Sequence, residues 1–295
     1  MQSRVSPWMY ASLLVLPLTT SPVLAALISS DLAITGSVEL STSIGVSPFS
    51  DGNVTQNGAI RTTAGGIPTS NGFSTTPGTA DGVDDATTSL PATNPLSGNL
   101  TNTGDGIGWD TNLDALFETG FNFNEGYDFI VDLGFSLKNN SLTDTFTITM
   151  QLDYSNVADV NGGDAYADSR LDLEVDNVDV FASEVLSDSF LGDALNGVAT
   201  GTFGGVISDN GIFSFDIILS PGDIAMIGGT HQWEGGVFDT GFSNADVNMD
   251  LFISDVACSG TCNVVPVPGA LLLFSSGLSG LALFQLRRRK QRVAA

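Results

Sequence analysis

Strict two-residue alternation between Phe129 and Tyr154 constrains this chain more than any other feature. Phe129, Val131, Leu133, Phe135 and Leu137 alternate with Ile130, Asp132, Gly134 and Ser136. After Lys138-Asn139-Asn140-Ser141 the pattern resumes with Leu142, Phe146, Ile148, Met150, Leu152 and Tyr154, set against Thr143, Thr145, Thr147, Thr149, Gln151 and Asp153. Successive side chains of a strand point to opposite faces, so each run has one apolar and one wet face. Two such runs around a polar turn predict an antiparallel hairpin.

Shorter runs repeat the theme. Leu32, Ile34, Val38 and Leu40 predict a first strand, Phe213, Phe215, Ile217 and Leu219 a later one, and Val247, Met249, Leu251 and Ile253 a last one. Leu171, Leu173 and Val175 lose phase at Asp176-Asn177, the mark of a bulge or tight turn. Ser220-Pro221-Gly222-Asp223 is a turn. Long strands with short turns and no βαβ spacing predict an all-β antiparallel sandwich, jelly-roll or Ig-like.

Other stretches carry less period. Residues 47–108 are rich in Gly, Ser, Thr, Asn and Pro with isolated apolar residues, which reads as a loop-rich insertion. Trp109 to Gly120 has room for one short helix. Ser155 to Ser169 reads as a polar loop, and Ser183 to Asn196 fits either helix or irregular strand.

The two ends differ from everything between them. Residues 1–25 hold Arg4, then Leu13, Leu14, Val15, Leu16 and Leu18, then Val23-Leu24-Ala25 before Ala26. That is the form of a secretory signal peptide cleaved between Ala25 and Ala26. At the far end, residues 258–268 form a stalk containing Val265-Pro266-Val267-Pro268, extended because each proline fixes its own φ and biases its predecessor away from helix. Residues 269–286 carry no formal charge and are long enough, as a helix, to cross a bilayer. Residues 287–295 follow with Arg287, Arg288, Arg289, Lys290 and Arg292, a stop for translocation that marks the cytoplasmic side.

This order of motif, apolar helix and basic cluster resembles the C-terminal sorting signals of the PEP-CTERM class, and most closely its Val-Pro-Leu-Pro-Ala (VPLPA) variant. The resemblance covers about thirty residues. It implies an exosortase substrate: an exported protein of Gram-negative bacteria, held in the membrane by its tail and then processed by an exosortase-like enzyme near Pro266-Val267-Pro268. It further implies a cell-surface or exopolysaccharide setting. The plainer reading is a single-pass anchor with a proline-rich stalk that displays a binding module and is never processed.

Charge narrows the partners. All 33 acidic residues, 27 of them Asp, fall between Asp31 and Asp255, with only Arg61, Lys138 and Arg170 among them, a formal charge of −30 for that segment. Such a field repels nucleic acid and anionic lipid surfaces and attracts cations. The Asp bias also favours turns over helices. Residues 26–257 are enough for one large β domain. Cys258 and Cys262 are the only cysteines, and in an exported chain they predict a small disulfide loop between domain and stalk.

No catalytic motif is present. Asp110-x-Asn112-x-Asp114 begins like an EF-hand loop, but Ala115 and Phe121 stand where that loop needs Gly and Glu. Asp153, Asn156, Asp159, Asn161, Asp164 and Asp168 crowd one polar stretch, and a structural calcium ion is the one cofactor such groups would suit; a solvated acidic loop is the competing reading. His231, the only histidine, has no triad or zinc spacing around it and reads as an ordinary surface or core residue. Trp109, Tyr127, Tyr166 and Trp233 sit in polar surroundings suited to sugar stacking, though packing explains them as well. A polysaccharide hydrolase working through a carboxylate pair has no specific residues to support it, and a non-enzymatic role is expected.

Overall fold

The computed structural model describes residues 25–40, 43–46, 51–63, 69–75, 86–87, 93–117 and 125–260. Among these there is no helix, and therefore none long and apolar enough to cross a membrane. The strands in chain order are β1 (Leu32–Glu39), β2 (Ser43–Val46), β3 (Asp51–Thr62), β4 (Thr69–Thr75), β5 (Ala86–Thr87), β6 (Leu96–Leu100), β7 (Gly106–Phe117) and β8 (Glu125–Asn139). They continue with β9 (Thr145–Gly162), β10 (Ala165–Val175), β11 (Val178–Asp188), β12 (Ala194–Leu195), β13 (Val198–Ala199), β14 (Gly205–Leu219), β15 (Ile224–Val237) and β16 (Gly241–Ser259).

Two antiparallel sheets result. The first has the order β13-β12-β11-β10-β15-β8-β1-β6, with β2 paired to β8 and β5 to β2. The second has the order β14-β9-β16-β7-β3-β4. Their inner faces share one core in which Trp109, Trp233, Phe135 and Phe146 are wholly buried. The chain is a β-sandwich, and the apolar halves of the alternating runs form its interior.

The predicted hairpin is not one. β8 pairs with β1 and β15 in the first sheet, while β9 pairs with β14 and β16 in the second. The segment between them is an arch that carries the chain from one sheet to the other, with Leu142 in it exposed rather than in a strand. The same crossing occurs from β9 to β10, from β14 to β15 and from β15 to β16. β10 and β11 do form a hairpin, and its turn residues Asp176 and Asn177 have φ of 51° and 63°. Both central residues at positive φ is the two-residue turn that matches strand twist, and it accounts for the lost phase.

Three further expectations fail for one reason: strands rich in polar residues carry the local composition of loop or helix. Within 47–108 the described residues include β3, β4 and β6. The stretch expected to hold a short helix is β7, and the polar stretch from Ser155 is the continuation of β9 into β10 across a short connection at Gly163-Asp164. Sheet pairing overrides weak local propensity in each case, on both sides for β3, β7, β9 and β10 and on one side for the edge strands β4 and β6. Ser183–Asp188 is the end of β11, and an irregular loop follows it.

The core is not uniform along the strands. Toward the end where β16 finishes, inward positions are large and apolar: Phe146, Ile148, Met150 and Leu152 on β9, Leu251 and Ile253 on β16, Phe135 and Leu137 on β8. That end is closed by Asn139, whose Nδ2 donates to the carbonyls of Asp144 (2.8 Å), Leu219 (3.0 Å) and Ser220 (3.0 Å), tying two arches together. Toward the opposite end many inward positions are small or polar, among them Asn156, Ala158, Ala165, Ala167, Ser169, Ser183, Ser187 and Ser243, beside the bulky Trp233. There, polar groups bond directly from sheet to sheet. Ser243 Oγ donates to the Tyr166 carbonyl at 2.8 Å and Ser187 Oγ to that of Gly205 at 2.6 Å.

Candidate functional site

Chemistry-bearing groups concentrate in three places, and the first is the outer face of the second sheet. Outward positions carry Asp110, Asn112 and Asp114 on β7 and Asn244, Asp246, Asn248 and Asp250 on β16. The register sets amide against carboxylate: Asn248 faces Asp110, Asp246 faces Asn112, and Asn244 faces Asp114 on one side and Asp159 on the other. Asn57 Nδ2 donates to Asp110 Oδ1 at 3.1 Å and Asn248 Nδ2 to Asp110 Oδ2 at 3.3 Å, so this carboxylate is held from both neighbouring strands. Asn112 Nδ2 donates to Asp246 Oδ2 at 3.4 Å. Like charges directly opposite would destabilise the ladder, and the alternation avoids them.

One row breaks this rule, because Asp153 faces Asp250. Arg61 answers it by reaching across from β3 to pair with Asp250 Oδ2. Its guanidinium passes over Gly108, where a Cβ would lie 2.5 Å from Arg61 Nε. Burial raises the Asp250 carboxyl above its usual range, with Arg61 opposing and Asp153 adding to the rise. Asp246 is raised as well, first by burial. The D-x-N-x-D that resembles the start of an EF-hand is therefore the wet face of a strand, and a repeat of Asp and Asn at every second residue was the signal for it.

The second place is the outer face of the first sheet around β10. Asp168 faces Glu234 across β15, and Arg170 faces Glu184 across β11. Arg170 Nε donates to Asp172 Oδ2 at 2.7 Å. The Asp168 carboxyl is pushed up to about 6 by burial and by Glu184 and Glu234, against the pull of Arg170. Beside it lies a depression of about 250 Å³ lined by Arg170, Asp172, Glu174, Asp179 and Thr230. Its lining is mostly acidic, with Thr230 facing Asp172 across the ladder.

The third place is inside. Asn156 Nδ2 donates across the sandwich to the carbonyls of Ser169 (3.1 Å) and Ser183 (3.3 Å). Ser169 Oγ is 3.0 Å from His231 Nε2 and also accepts from Trp233 Nε1. The His231 ring stands edge-on to Trp233 at 4.5 Å and to Trp109 at 6.0 Å between centroids. Burial pushes the imidazole down to about 3, so it stays neutral. His231 is thus a core histidine. Trp109 and Trp233 are walled in and unavailable for stacking on sugar, whereas Tyr166 is half-buried with its ring stacked on Phe238 at 5.9 Å. The Tyr127 side chain lies outside the described residues.

The six residues considered for calcium are not brought together. Asp153, Asp159 and Asn161 sit on the outward side of β9, Asn156 points inward, Asp164 is in the following connection, and Asp168 lies on the outer face of the other sheet. Alternation along a strand disperses what proximity in sequence had joined. Among the described residues no group of three or more metal-ligating side chains forms a site.

No family model matches the chain, and no curated protein matches it. Solved structures with some likeness include the structure of infectious bursal disease virus Gt strain, at 11% identity over 87% of this chain and 72% of that one, with a TM-score of 0.14. Another is the crystal structure of an infectious bursal disease virus VP2 subviral particle, at 9% identity over 79% of this chain and 67% of that one, again with a TM-score of 0.14. Likeness at that level carries no argument. Ala25 and Ala26 begin the described chain, and the Ala26 amide donates to Thr103 Oγ1 at 3.0 Å. Cys258, on β16, is disulfide-bonded. Cys262, the Val265–Pro268 motif, the apolar stretch 269–286 and the basic cluster lie outside the described residues.

Proposed function

We propose that this chain is an exported, non-enzymatic β-sandwich of the cell surface or exopolysaccharide matrix, routed by a signal peptide and a sorting signal of the PEP-CTERM (VPLPA) type. The observation that carries this reading is the order of motif, apolar stretch and arginines immediately after the last strand. Residues 1–25 direct export, residues 269–286 lodge in the membrane as a helix, and an exosortase-like enzyme acts at Pro266-Val267-Pro268. We read the finer architecture as jelly-roll-like, since successive strands repeatedly cross between the sheets.

The outer face of the second sheet supports the matrix setting. It offers carboxylate acceptors and amide donors at the spacing of adjacent strands, about 4.8 Å. Hydroxyl-rich polymer is the chemistry such an array suits, because each sugar hydroxyl both donates and accepts. The acidic field repels nucleic acid, so no such partner belongs to this reading.

Intact masses from membrane and extracellular fractions test the routing. The expected product starts at Ala26 and ends between Pro266 and Gly269, and replacing both Pro266 and Pro268 with Ala leaves the anchored form accumulating. A membrane-confined species still ending at Ala295 would reduce the tail to an ordinary single-pass anchor.

A further inference from the structure

We infer that the interior of the sandwich binds one or two water molecules, enclosed by Asn156, Thr111, Trp109 and His231. These four side chains are 0–1% exposed. Each presents a buried polar atom without a hydrogen-bond partner: Asn156 Oδ1, Thr111 Oγ1, Trp109 Nε1 and His231 Nδ1. An unsatisfied buried polar atom is costly, and four in one neighbourhood call for a common ligand.

Their placement closes a circuit. Asn156, Val247 and Thr111 lie in one register row across β9, β16 and β7, and all three point inward. Trp109 is the next inward residue on β7 and meets the edge of His231. His231 reaches Ser169, whose carbonyl accepts from Asn156. At about 4.8 Å between strands, Asn156 and Thr111 start roughly 10 Å apart at Cα with the inward Val247 between them, so a water joining them would lie over the Val247 side chain.

The donor and acceptor tally selects the ligand. Ser169 Oγ accepts from Trp233 Nε1–H and is bonded to His231 Nε2, whose role in that bond depends on the ring's tautomer; Nδ1 is a donor in one tautomer and an acceptor in the other. The circuit then holds one fixed N–H donor at Trp109, one carbonyl acceptor at Asn156, and a hydroxyl and an imidazole nitrogen that can each do either. A metal cation is disfavoured by the Trp109 donor, and none of the four groups is a carboxylate. Two waters bonded to each other and to two of these atoms apiece make three bonds each, the usual number for buried water.

The test uses the full chain in detergent, labelled at tryptophan. The Trp109 indole proton, assigned by its loss in Trp109→Phe, is expected to show a nuclear Overhauser cross-peak to a long-lived water. A second readout works by sign. Thr111→Val removes a bonding partner of the water and is expected to lower Tm by about 2–4 °C. If no water were bound, the same change would delete an unsatisfied hydroxyl and Tm would rise. A silent Trp109 indole or a raised Tm overturns the inference.

Discussion

The two parts of this core are built on different principles. Where β16 ends, Phe135, Phe146, Ile148 and Leu251 hold the sheets apart and together by bulk. Farther along the same strands, Asn156, Ser169, Ser183 and Ser243 replace bulk with hydrogen bonds between sheets, and a separate small cluster of Ala158, Val160, Ala165, Ala167, Val185 and Val237 closes the far end. Bulky apolar packing fixes register by keeping the apolar set on the buried face, yet tolerates swaps of similar volume. A hydrogen-bonded belt does not tolerate such swaps, because each donor must meet its acceptor within a few tenths of an ångström. The contrast teaches that stability and specificity are divided along one continuous set of strands.

The sharpest way to break the apolar part is Phe135→Ala, which leaves a cavity among residues that cannot collapse onto it. The expected loss is about 3–5 kcal/mol of unfolding free energy, read by denaturant titration. In the belt, Asn156→Leu keeps the volume but strands the carbonyls of Ser169 and Ser183 without their side-chain donor. Its expected cost is about 1–3 kcal/mol. Should the leucine match or exceed the native side chain in stability, the belt would be packing like any other.

Acid titration sharpens the contrast on the outer faces. Asp168, behind the belt, has its carboxyl raised by burial, Glu184 and Glu234 to about 6, so the folded state favours the protonated form. That contribution is fully present below the unfolded value near 4 and is lost as pH rises through about 6. Asp168→Asn is therefore expected to be more stable than the native chain at pH 8 and no more stable at pH 4, by thermal melts at both. The smallest effect is expected behind the apolar part. Gly108→Ala displaces Arg61 from Asp250, a half-exposed pair, at a cost of about 0.2–1 kcal/mol that added salt reduces further.

How much of this was legible follows from the same division. Leu32, Ile34, Phe146, Ile148, Leu251 and Ile253 announce their burial by alternation, and all are buried. The partner of each strand is not announced. A hairpin and an arch both present two period-two runs around a polar turn, so Lys138–Ser141 gave no sign that β8 and β9 part company into different sheets. The belt was hidden because inward Asn, Ser and His break the apolar pattern, and Ser155–Ser169 accordingly resembled a loop. β7 was hidden as well, since its outward Asp and Asn favour turns by propensity and occupy a strand because β3 and β16 pair with it, whereas β16, with the same outward residues, showed through Val247, Met249, Leu251 and Ile253. Arg61 and Gly108 form one device from residues 47 positions apart, which no local pattern reveals.

The position of β16 has a mechanical consequence. This 19-residue strand lies between β9 and β7, bonded along most of its length on both sides, and it leads directly to Gly260. A pull delivered through Gly260 along the strand, against a grip on the opposite end of the sandwich, would load both hydrogen-bonded ladders at once. The bonds would then have to fail together in shear instead of unzipping one pair at a time. The end of β16 is thus a point at which tension is shared between two ladders.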